Sequence, residues 1–275
     1  MSSINRGRAK RCGDNKQDTP DSKAYETLRM RVEETIKQHA GEGIDAPHKL
    51  FKNPRWDVQL LRETYDFGNK KVLDVGCSYG TSLLFWGDDS EGVEVDRNSV
   101  RFLEKMGRTV HVLNIEDGLW SSVPERAYSG AFSSNLIEHL VAPHMFLANL
   151  YRVLDDGGIL ALQHPVVVPV AVNRFSRIFP PMRVLIGRQG WHAGEHINFF
   201  TPRTIRLTLE RAGFVVMEQF GGYFRRFPTL GRRIVPISSK CLSICRKDDR
   251  YRYARKRRPE FDPAWTRELL ALYRR

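Results

Sequence analysis

The chain alternates between short apolar runs and segments in which apolar residues recur every three or four positions, mainly between residues 71 and 163. Apolar runs of this length predict buried strands, and the longer repeat predicts amphipathic helices. The predicted strands are residues 71–76, 91–95, 109–113, 131–135 and 159–163. The predicted helices between them are residues 99–106 and 144–154, with a further helix beginning at residues 81–86.

One more helix and strand follow near the end of this region. Thr201 precedes Pro202, which is the usual order of an N-cap residue and a first-turn proline. Gly213 ends that helix, and residues 214–220 form the next apolar run. Strands that alternate with helices predict βαβ units. The expected fold class is therefore α/β, with a mostly parallel sheet and helices on both faces.

The pattern also divides the chain into segments. An inserted lid is predicted where the alternation is interrupted, and the regular region carries an extension at each end. The predicted segments are a disordered basic N-terminus (1–20), a helical N-terminal extension (21–69, with helices at 21–39 and 54–65), a main domain (70–224) with its lid (165–200), and a basic C-terminal tail (225–275).

Charge is concentrated at the two ends of the chain. The formal net charge is +12, and residues 225–275 hold 16 Lys and Arg against 5 Asp and Glu. Within this tail, Arg246 to Arg258 interleave basic residues with Tyr251 and Tyr253, a combination that suits phosphate contact with base stacking. The tail therefore indicates either an acidic partner, which is RNA, an acidic membrane surface or another acidic molecule, or a surface that only keeps the protein in solution.

Composition bounds the cellular setting and the metal content. No apolar run reaches the roughly 20 residues of a membrane-spanning helix, and the N-terminus lacks the apolar core of a secretory signal. The four cysteines (Cys12, Cys77, Cys241 and Cys245) are too few for a disulfide framework, and no zinc ligand set accompanies them. We expect a cytoplasmic protein, peripheral at a membrane if the tail binds lipid, and no metal.

A glycine turn and an acidic residue mark the candidate site. The first predicted strand delivers Asp74-Val-Gly-Cys-Ser-Tyr-Gly80, in which glycines permit a sharp turn and close approach to a ligand. A helix that began directly after this turn would point its free N–H groups at the same crevice. Glu94 ends the second strand, where a carboxylate can accept the hydroxyls of a ribose. Together these features predict a nucleoside-containing cofactor.

Further blocks make the pattern specific. They are Ser133-Ser-Asn-Leu-Ile-Glu-His-Leu140, Leu150-Tyr-Arg-Val-Leu-Asp-Asp-Gly-Gly158 and His196-Ile-Asn-Phe-Phe-Thr-Pro-Arg-Thr-Ile205. With the glycine turn, they resemble the class I S-adenosylmethionine-dependent methyltransferases, in the branch with an Asp-x-Gly-Cys turn, a Glu-His-Leu block and an Arg-Val-Leu-x-x-Gly-Gly block. The resemblance covers about residues 70–222. It implies a Rossmann-like, mostly parallel seven-stranded sheet, and S-adenosylmethionine as the cofactor.

The resemblance also implies roles for individual positions. The implied cofactor-binding residues are Asp74, Gly76, Cys77, Ser78, Gly80, Glu94, Asn114, Ile115 and Asn135. Ser78 replaces the middle glycine of the family turn, and its small side chain should still fit. Asn114 replaces the family's Asp at the adenine amino group, where an amide oxygen can still accept the hydrogen bond.

The acceptor is less constrained by the sequence than the cofactor. Methyl transfer to oxygen requires removal of a proton, and histidine has a suitable ordinary pKa. The candidate bases are His164, His139 and His196, which follow predicted strands at the crevice or end the lid. We expect O-methylation of a small-molecule, glycan or lipid-linked acceptor. The alternatives are an RNA-binding methyltransferase that uses the basic aromatic tail and a methyltransferase associated with a membrane surface.

Overall fold

The structure, a computed structural model, describes residues 20–39, 55–166, 196–221 and 240–251. Four predicted segments lie partly or wholly outside the described residues: the disordered N-terminus, residues 40–54 of the helical N-terminal extension, most of the lid, and residues 225–239 and 252–275 of the basic tail. In the described part of the chain, no helix is both long and apolar enough to cross a membrane.

The described residues form helices and strands in the alternating order that the sequence predicts. The α-helices are α1 (Pro20–Gln38), α2 (Trp56–Tyr65), α3 (Arg97–Lys105), α4 (Pro143–Val153) and α5 (Pro202–Arg211). The strands are β1 (Val72–Val75), β2 (Glu91–Glu94), β3 (Thr109–Val112), β4 (Tyr128–Ser134), β5 (Leu154–Pro165), β6 (Phe214–Gly221) and β7 (Lys240–Lys247). Two short 3-10 turns are Leu83–Phe85 and Ile137–His139.

The strands form one seven-stranded sheet in the order β3-β2-β1-β4-β5-β7-β6. The pairs from β3 to β5 are parallel, and β7 runs antiparallel to both β5 and β6. The order in which successive strands join the sheet reverses between the parallel strands β1 and β4. Ligands bind at such a point in open α/β sheets. The predicted fold class is confirmed.

Strand β7 changes the boundary of the predicted tail. Its eight residues fall within 225–275, yet they occupy an interior position of the sheet between β5 and β6. Cys241 and Cys245 are buried on this strand. Lys247 is also buried, and its Nζ donates to the Leu154 carbonyl at 2.6 Å. The compact domain therefore extends at least to residue 247, and part of the basic charge belongs to it.

Two apolar layers hold the helices against the sheet. Leu160 and Leu162 of β5 pack on one face with α4 and α5, whereas Ala161 faces the other side with α1, α2 and α3. This alternation follows from the two-residue period of a strand. Leu28 and Val32 of α1 are buried in the second layer, so the N-terminal helices are part of the core and not a separate appendage.

The helix expected at residues 81–86 is absent. The structure has only the 3-10 turn Leu83–Phe85, because the chain turns back at Gly87, where an added Cβ would lie 2.5 Å from the Lys70 carbonyl oxygen. Tyr25 of α1 stacks on Phe85 with ring centroids 5.2 Å apart. The N-terminal helices therefore cover the surface beside this turn, and no helix N-terminus follows the glycine turn.

The capping predicted for α5 is confirmed. The Thr201 hydroxyl accepts the Thr204 N–H at 3.1 Å, and the Thr204 hydroxyl accepts the Thr201 N–H at 2.8 Å. Gly213 ends the helix with φ +98°, a conformation that favours glycine. The cap fixes the point at which residues 196–200 enter the helix, and that segment lies beside the candidate site.

Candidate active site

The glycine turn after β1 is held in a tight, left-handed backbone path. Gly76 has φ +72°, and its N–H donates to the Val93 carbonyl at 2.9 Å. Ser78, in the place of the family's middle glycine, has φ +47° and is exposed. Gly80 has φ +77°, and an added Cβ there would overlap the Leu103 side chain. Gly76 and Ser78 thus present backbone to the crevice, whereas Gly80 permits close packing against α3.

Cys77 contributes backbone and not a side chain to this surface. Its thiol is buried beneath β2, where an added Cβ on Gly92 would lie 2.6 Å from Sγ. Burial raises the pKa of the Cys77 thiol well above its usual value. The group is therefore neutral and belongs to the apolar core.

Glu94 joins the glycine turn to the end of β2. Its Oε2 accepts the Ser78 N–H at 2.7 Å, and its Oε1 accepts the N–H groups of Val95 and Asp96 at 2.8 and 3.0 Å. A carboxylate offers about four lone-pair sites, so Oε2 retains capacity for another donor. The three bonds orient the carboxylate at the carboxyl end of the strand, as a ribose-binding group requires.

Asp74 lies buried under the turn. Its Oδ2 accepts the Trp86 indole N–H at 3.0 Å. Burial raises the pKa of Asp74 to about 7, although the indole hydrogen bond and the Arg55 charge both act to lower it. The carboxyl group therefore changes its protonation state close to neutral pH, and a cation arriving in the crevice would favour the charged form.

Arg55 reaches this region from the start of α2. Its guanidinium donates to Asp57 Oδ2 at 2.5 Å, to Ser134 Oγ at 3.0 Å and to Gln163 Oε1 at 3.1 Å. Ser134 and Gln163 lie near the carboxyl ends of β4 and β5. About 30% of the Arg55 side chain is exposed. The arrangement fixes a cation where the strand order reverses.

The other end of the crevice is apolar and loop-bound. Val95 and Val112, which follow or end β2 and β3, are 63% and 55% exposed. Asn114 is exposed, with its Oδ1 accepting the Glu116 N–H at 3.2 Å and its Nδ2 donating to Asp117. Ile115 packs partly against the core. These residues form an apolar surface with a polar edge, which suits a purine ring.

The end of β4 contacts the glycine turn. Asn135 has φ +53° and is exposed, and its N–H donates to the Gln163 carbonyl at 2.9 Å. The next residue, Leu136, lies so close to Gly76 that an added Cβ there would be 3.0 Å from Leu136 Cδ2. The segment after β4 and the turn after β1 therefore form adjacent walls of one crevice.

Two of the predicted histidines come together beyond that wall. The Glu138 carbonyl accepts the N–H groups of Ile197 and Asn198 at 3.0 and 2.9 Å. These bonds place His196 against His139 with ring centroids 4.6 Å apart and an interplanar angle of 74°. Two sequence blocks that are separated by the predicted lid thus form a single structural unit.

His164 lies elsewhere and in a different environment. It is within β5, opposite Cys241 of β7, and is fully buried with its ring against Phe200. Its Nδ1 donates to the Pro165 carbonyl at 2.8 Å. Burial lowers the pKa of His164 to about 4. A buried and weakly basic imidazole is poorly suited to take a proton from an acceptor, so the geometry favours His139 and His196.

Comparison with known proteins agrees with this geometry. The family described as "Methyltransferase domain" matches residues 46–219, which is more than half of the chain. The chain belongs to this methyltransferase family. The matched residues contain β1 to β5, the glycine turn and the paired histidines, and the cofactor of the domain is S-adenosylmethionine.

One curated relative of the methyltransferase is the tRNA U34 carboxymethyltransferase of Pseudoalteromonas translucida (strain TAC 125). The two sequences are 27% identical over 192 residues, which are 62% of this chain and 52% of the relative. The chain therefore spans about half the length of that relative.

Solved structures share the fold of the methyltransferase. An S-adenosylmethionine-dependent methyltransferase from Mesorhizobium loti has a TM-score of 0.52 at 14% identity, covering 72% of this chain and 100% of that one. A second, from Thermotoga maritima, has a TM-score of 0.51 at 13% identity, covering 82% and 100%. At these identities the similarity concerns the fold alone.

Sequence reasoning did not identify Arg55 as a residue of the methyltransferase crevice. Its partners Ser134 and Gln163 are 79 and 108 residues away in the chain. An isolated arginine before a helix carries no local signal of such contacts. Trp86 was missed for a similar reason, since only the fold brings its indole to Asp74.

Proposed function

We propose that the protein transfers a methyl group from S-adenosylmethionine to an oxygen atom of a small-molecule, glycan or lipid-linked acceptor. The observation that supports this proposal is the close approach of Leu136 to Gly76, because Leu136 directly precedes the 3-10 turn that carries His139, and His139 packs against His196. A cofactor surface and candidate proton acceptors then share one crevice.

The residues of the crevice fit the parts of this cofactor. When bound, S-adenosylmethionine supplies a methyl group on a positively charged sulfonium, which an oxygen nucleophile can accept directly. Glu94 would hold the ribose, and Val95 and Ile115 would hold the adenine. The exposed backbone at Gly76 and Ser78 would face the methionine moiety.

Arg55 and Asp74 suit the two charges of the methionine end. The guanidinium already lies among Ser134, Gln163 and Asp57, and its exposed part can bind a carboxylate. The Asp74 carboxyl is close enough to Arg55 for their charges to interact. A cofactor ammonium group near the turn would favour ionised Asp74, which gives the buried carboxyl a role in binding.

The acceptor hydroxyl must lose a proton as it is methylated. His139 and His196 are half-buried and lie at the mouth of the crevice, whereas His164 is enclosed in the sheet. We assign the proton-accepting role to the pair His139 and His196. Holding the hydroxyl in line with the methyl group is the larger part of catalysis in such a reaction.

The direct test is a methyl-transfer assay with labelled cofactor over separated lipid, glycan, RNA and metabolite fractions. We expect label in a non-RNA fraction, as an alkali-resistant methyl ether. The Glu94→Ala variant should lose this label, and His139→Gln should lower kcat while leaving the affinity for S-adenosylhomocysteine unchanged. Label confined to RNA would overturn the choice of acceptor, and no binding of the cofactor would overturn the proposal itself.

RNA methylation is the second candidate. It is favoured by the similarity to an enzyme named for tRNA U34 and by the basic residues after β7. Burial of Lys247 removes one of the predicted phosphate contacts, but Arg246 is exposed on the same strand. A salt-dependent RNA gel shift that is lost when residues 252–275 are removed would support it.

Association with a membrane is distinguished by the same truncated protein. Co-sedimentation with anionic liposomes that is lost at high salt and in the truncated chain would indicate a lipid partner. The prediction of a cytoplasmic protein, peripheral at a membrane through residues 225–275, stays a prediction.

A further inference from the structure

The segment after β4 brings three metal-ligating groups together. One ligand atom each from Glu138, His139 and His196 lies within 4.8 Å of the other two. The Nε2 atom of His139 is 3.9 Å from Glu138 Oε1, which is too long for a hydrogen bond. The sequence predicted no metal from the spacing of its cysteines, and that spacing gives no indication that His196 lies beside Glu138.

The Glu138 carboxylate is the observation that points to a ligand. Its side chain is 1% exposed, and within the described ranges neither carboxylate oxygen has a hydrogen-bond partner outside the residue itself. Buried carboxylates in proteins are paired, hydrogen-bonded or bound to a metal, because burying an unsatisfied charge is costly. Of the charged groups that act on this carboxylate, His139 and Lys240 are the positive ones.

The separation of His139 Nε2 and Glu138 Oε1 suits two ligands of one metal ion better than a direct hydrogen bond between the two side chains. Zinc binds imidazole nitrogen at about 2.0–2.1 Å and carboxylate oxygen at about 2.0–2.2 Å, so two ligand atoms of a tetrahedral ion lie about 3.4 Å apart. The 3.9 Å separation of His139 Nε2 and Glu138 Oε1 is close to this value. Small side-chain rotations would bring all three atoms to bonding distance.

The backbone holds the three residues in place without an ion. Glu138 and His139 are adjacent in the 3-10 turn, and the two hydrogen bonds to the Glu138 carbonyl anchor residues 197 and 198. The Asn198 side chain also donates to the Leu140 carbonyl at 2.5 Å. The ligand set is therefore preorganised, which lowers the cost of binding.

We propose that Glu138, His139 and His196 form a binding site for a divalent transition-metal ion of the zinc class. Two histidines and one glutamate are a ligand set of catalytic zinc sites, which keep a further coordination position open. In terms of the proposed function, on which only this role depends, a bound ion would lower the pKa of an acceptor hydroxyl that coordinates it, and the proton would pass to solvent water. His139 and His196 would then hold the ion, and the base role assigned to them above would apply to the metal-free protein alone.

The site is tested by metal binding to the full-length protein. Zn²⁺ is titrated in competition with a chromophoric chelator, and Co²⁺ is added separately so that its visible absorption reports imidazole coordination. We expect one high-affinity Zn²⁺ per chain. Glu138→Gln, His139→Gln and His196→Gln should each weaken Zn²⁺ binding at least tenfold, and His196→Gln should change the Co²⁺ spectrum.

His144→Gln is the matched control. It removes an exposed histidine at the start of α4, outside the ligand set. Binding of S-adenosylhomocysteine, measured by calorimetry, shows that each variant is folded and tests the cofactor site independently of the metal. The metal site is refuted if the Kd of the wild-type protein for Zn²⁺ is more than 100-fold higher than the Kd of the chelator. It is also refuted if His144→Gln lowers the affinity as much as the three ligand variants do.

Discussion

Replacing Glu94 with alanine is expected to remove most of the affinity for S-adenosylhomocysteine while leaving the protein folded. In the structure the carboxylate is held by three backbone N–H groups, from Ser78, Val95 and Asp96. The substitution therefore removes a ribose acceptor and also releases the link between the glycine turn and β2. Both effects act on the bound state, because the affected groups lie at the crevice.

The size of the effect follows from the hydrogen bonds that are lost. A hydrogen bond to a charged group contributes about 1.5–3 kcal/mol, and Glu94 has capacity for one ribose hydroxyl beside its three backbone donors. The loss is then about 1.5–3 kcal/mol, which corresponds to a Kd roughly 10- to 100-fold higher. Loosening of the turn adds to this value. Glu94→Gln should lie between alanine and wild type, since its amide oxygen still accepts one bond.

The assay is isothermal calorimetry with S-adenosylhomocysteine, and Glu91→Gln is the matched control. Glu91 begins the same strand about 10 Å from Glu94, where it contacts Lys71 Nζ at 2.7 Å and His111 Nε2 at 2.7 Å. Glu91→Gln should lower the melting temperature and leave the Kd within threefold of wild type. A Glu94→Ala protein that binds the ligand as wild type does, or a Glu91→Gln protein that loses binding equally, would refute the assignment of the ribose site.

Three further predictions concern the same crevice. Folding raises the pKa of Asp74 to about 7, so the free energy of unfolding of the wild-type protein should fall as the pH rises from about 4 to 7. Relative to Asp74→Asn, the fall should be at most about 1.4 kcal/mol per pH unit. Urea unfolding at several pH values measures it. Arg55→Lys should weaken binding of S-adenosylhomocysteine about tenfold and leave binding of adenosine, which has no carboxylate, unchanged in calorimetry. Gly80→Ala should lower the free energy of unfolding by about 2–4 kcal/mol in chemical denaturation, because the strain of a left-handed backbone adds to the overlap with Leu103. Gly157→Ala is the control: its φ is +79° but the space around it is open, so it should lower that free energy by about 1–2 kcal/mol.

The sequence was sufficient where the determinants are local. The apolar runs of β1 to β6 and the Thr201 cap are encoded by neighbouring residues, and the structure has them within a few positions of the predicted bounds. Residues 81–86 were predicted as a helix because Thr-Ser-Leu-Leu-Phe-Trp is compatible with one. The constraint that ends it is the approach of Gly87 to Lys70, which no local pattern reports.

Strand β7 shows a second kind of limit. Its apolar centre at residues 241–245 is short, and the basic residues on either side made the whole segment resemble a charged tail. The decisive factor is its pairing with both β5 and β6, in which the buried Lys247 ammonium satisfies the Leu154 carbonyl. In a sequence, a buried lysine that is stabilised by one long-range hydrogen bond cannot be distinguished from a lysine in contact with solvent.

The chemistry of the crevice depends on contacts of this long-range kind more than the fold does. Asp74 is recognisable from the strand that precedes it, but its raised pKa arises from burial under Trp86 and is moderated by Arg55, a residue of another helix. Likewise, His139 was a candidate base from its place after β4, but only the backbone hydrogen bonds from residues 197 and 198 to the Glu138 carbonyl bring His196 against it. Substitutions that disrupt these hydrogen bonds should therefore alter methyl transfer to the acceptor without changing the affinity for the cofactor. Substitutions of Arg55 should change the affinity for the cofactor and leave the acceptor side unaltered. Separate responses of that kind would show that one crevice contains two independently built halves.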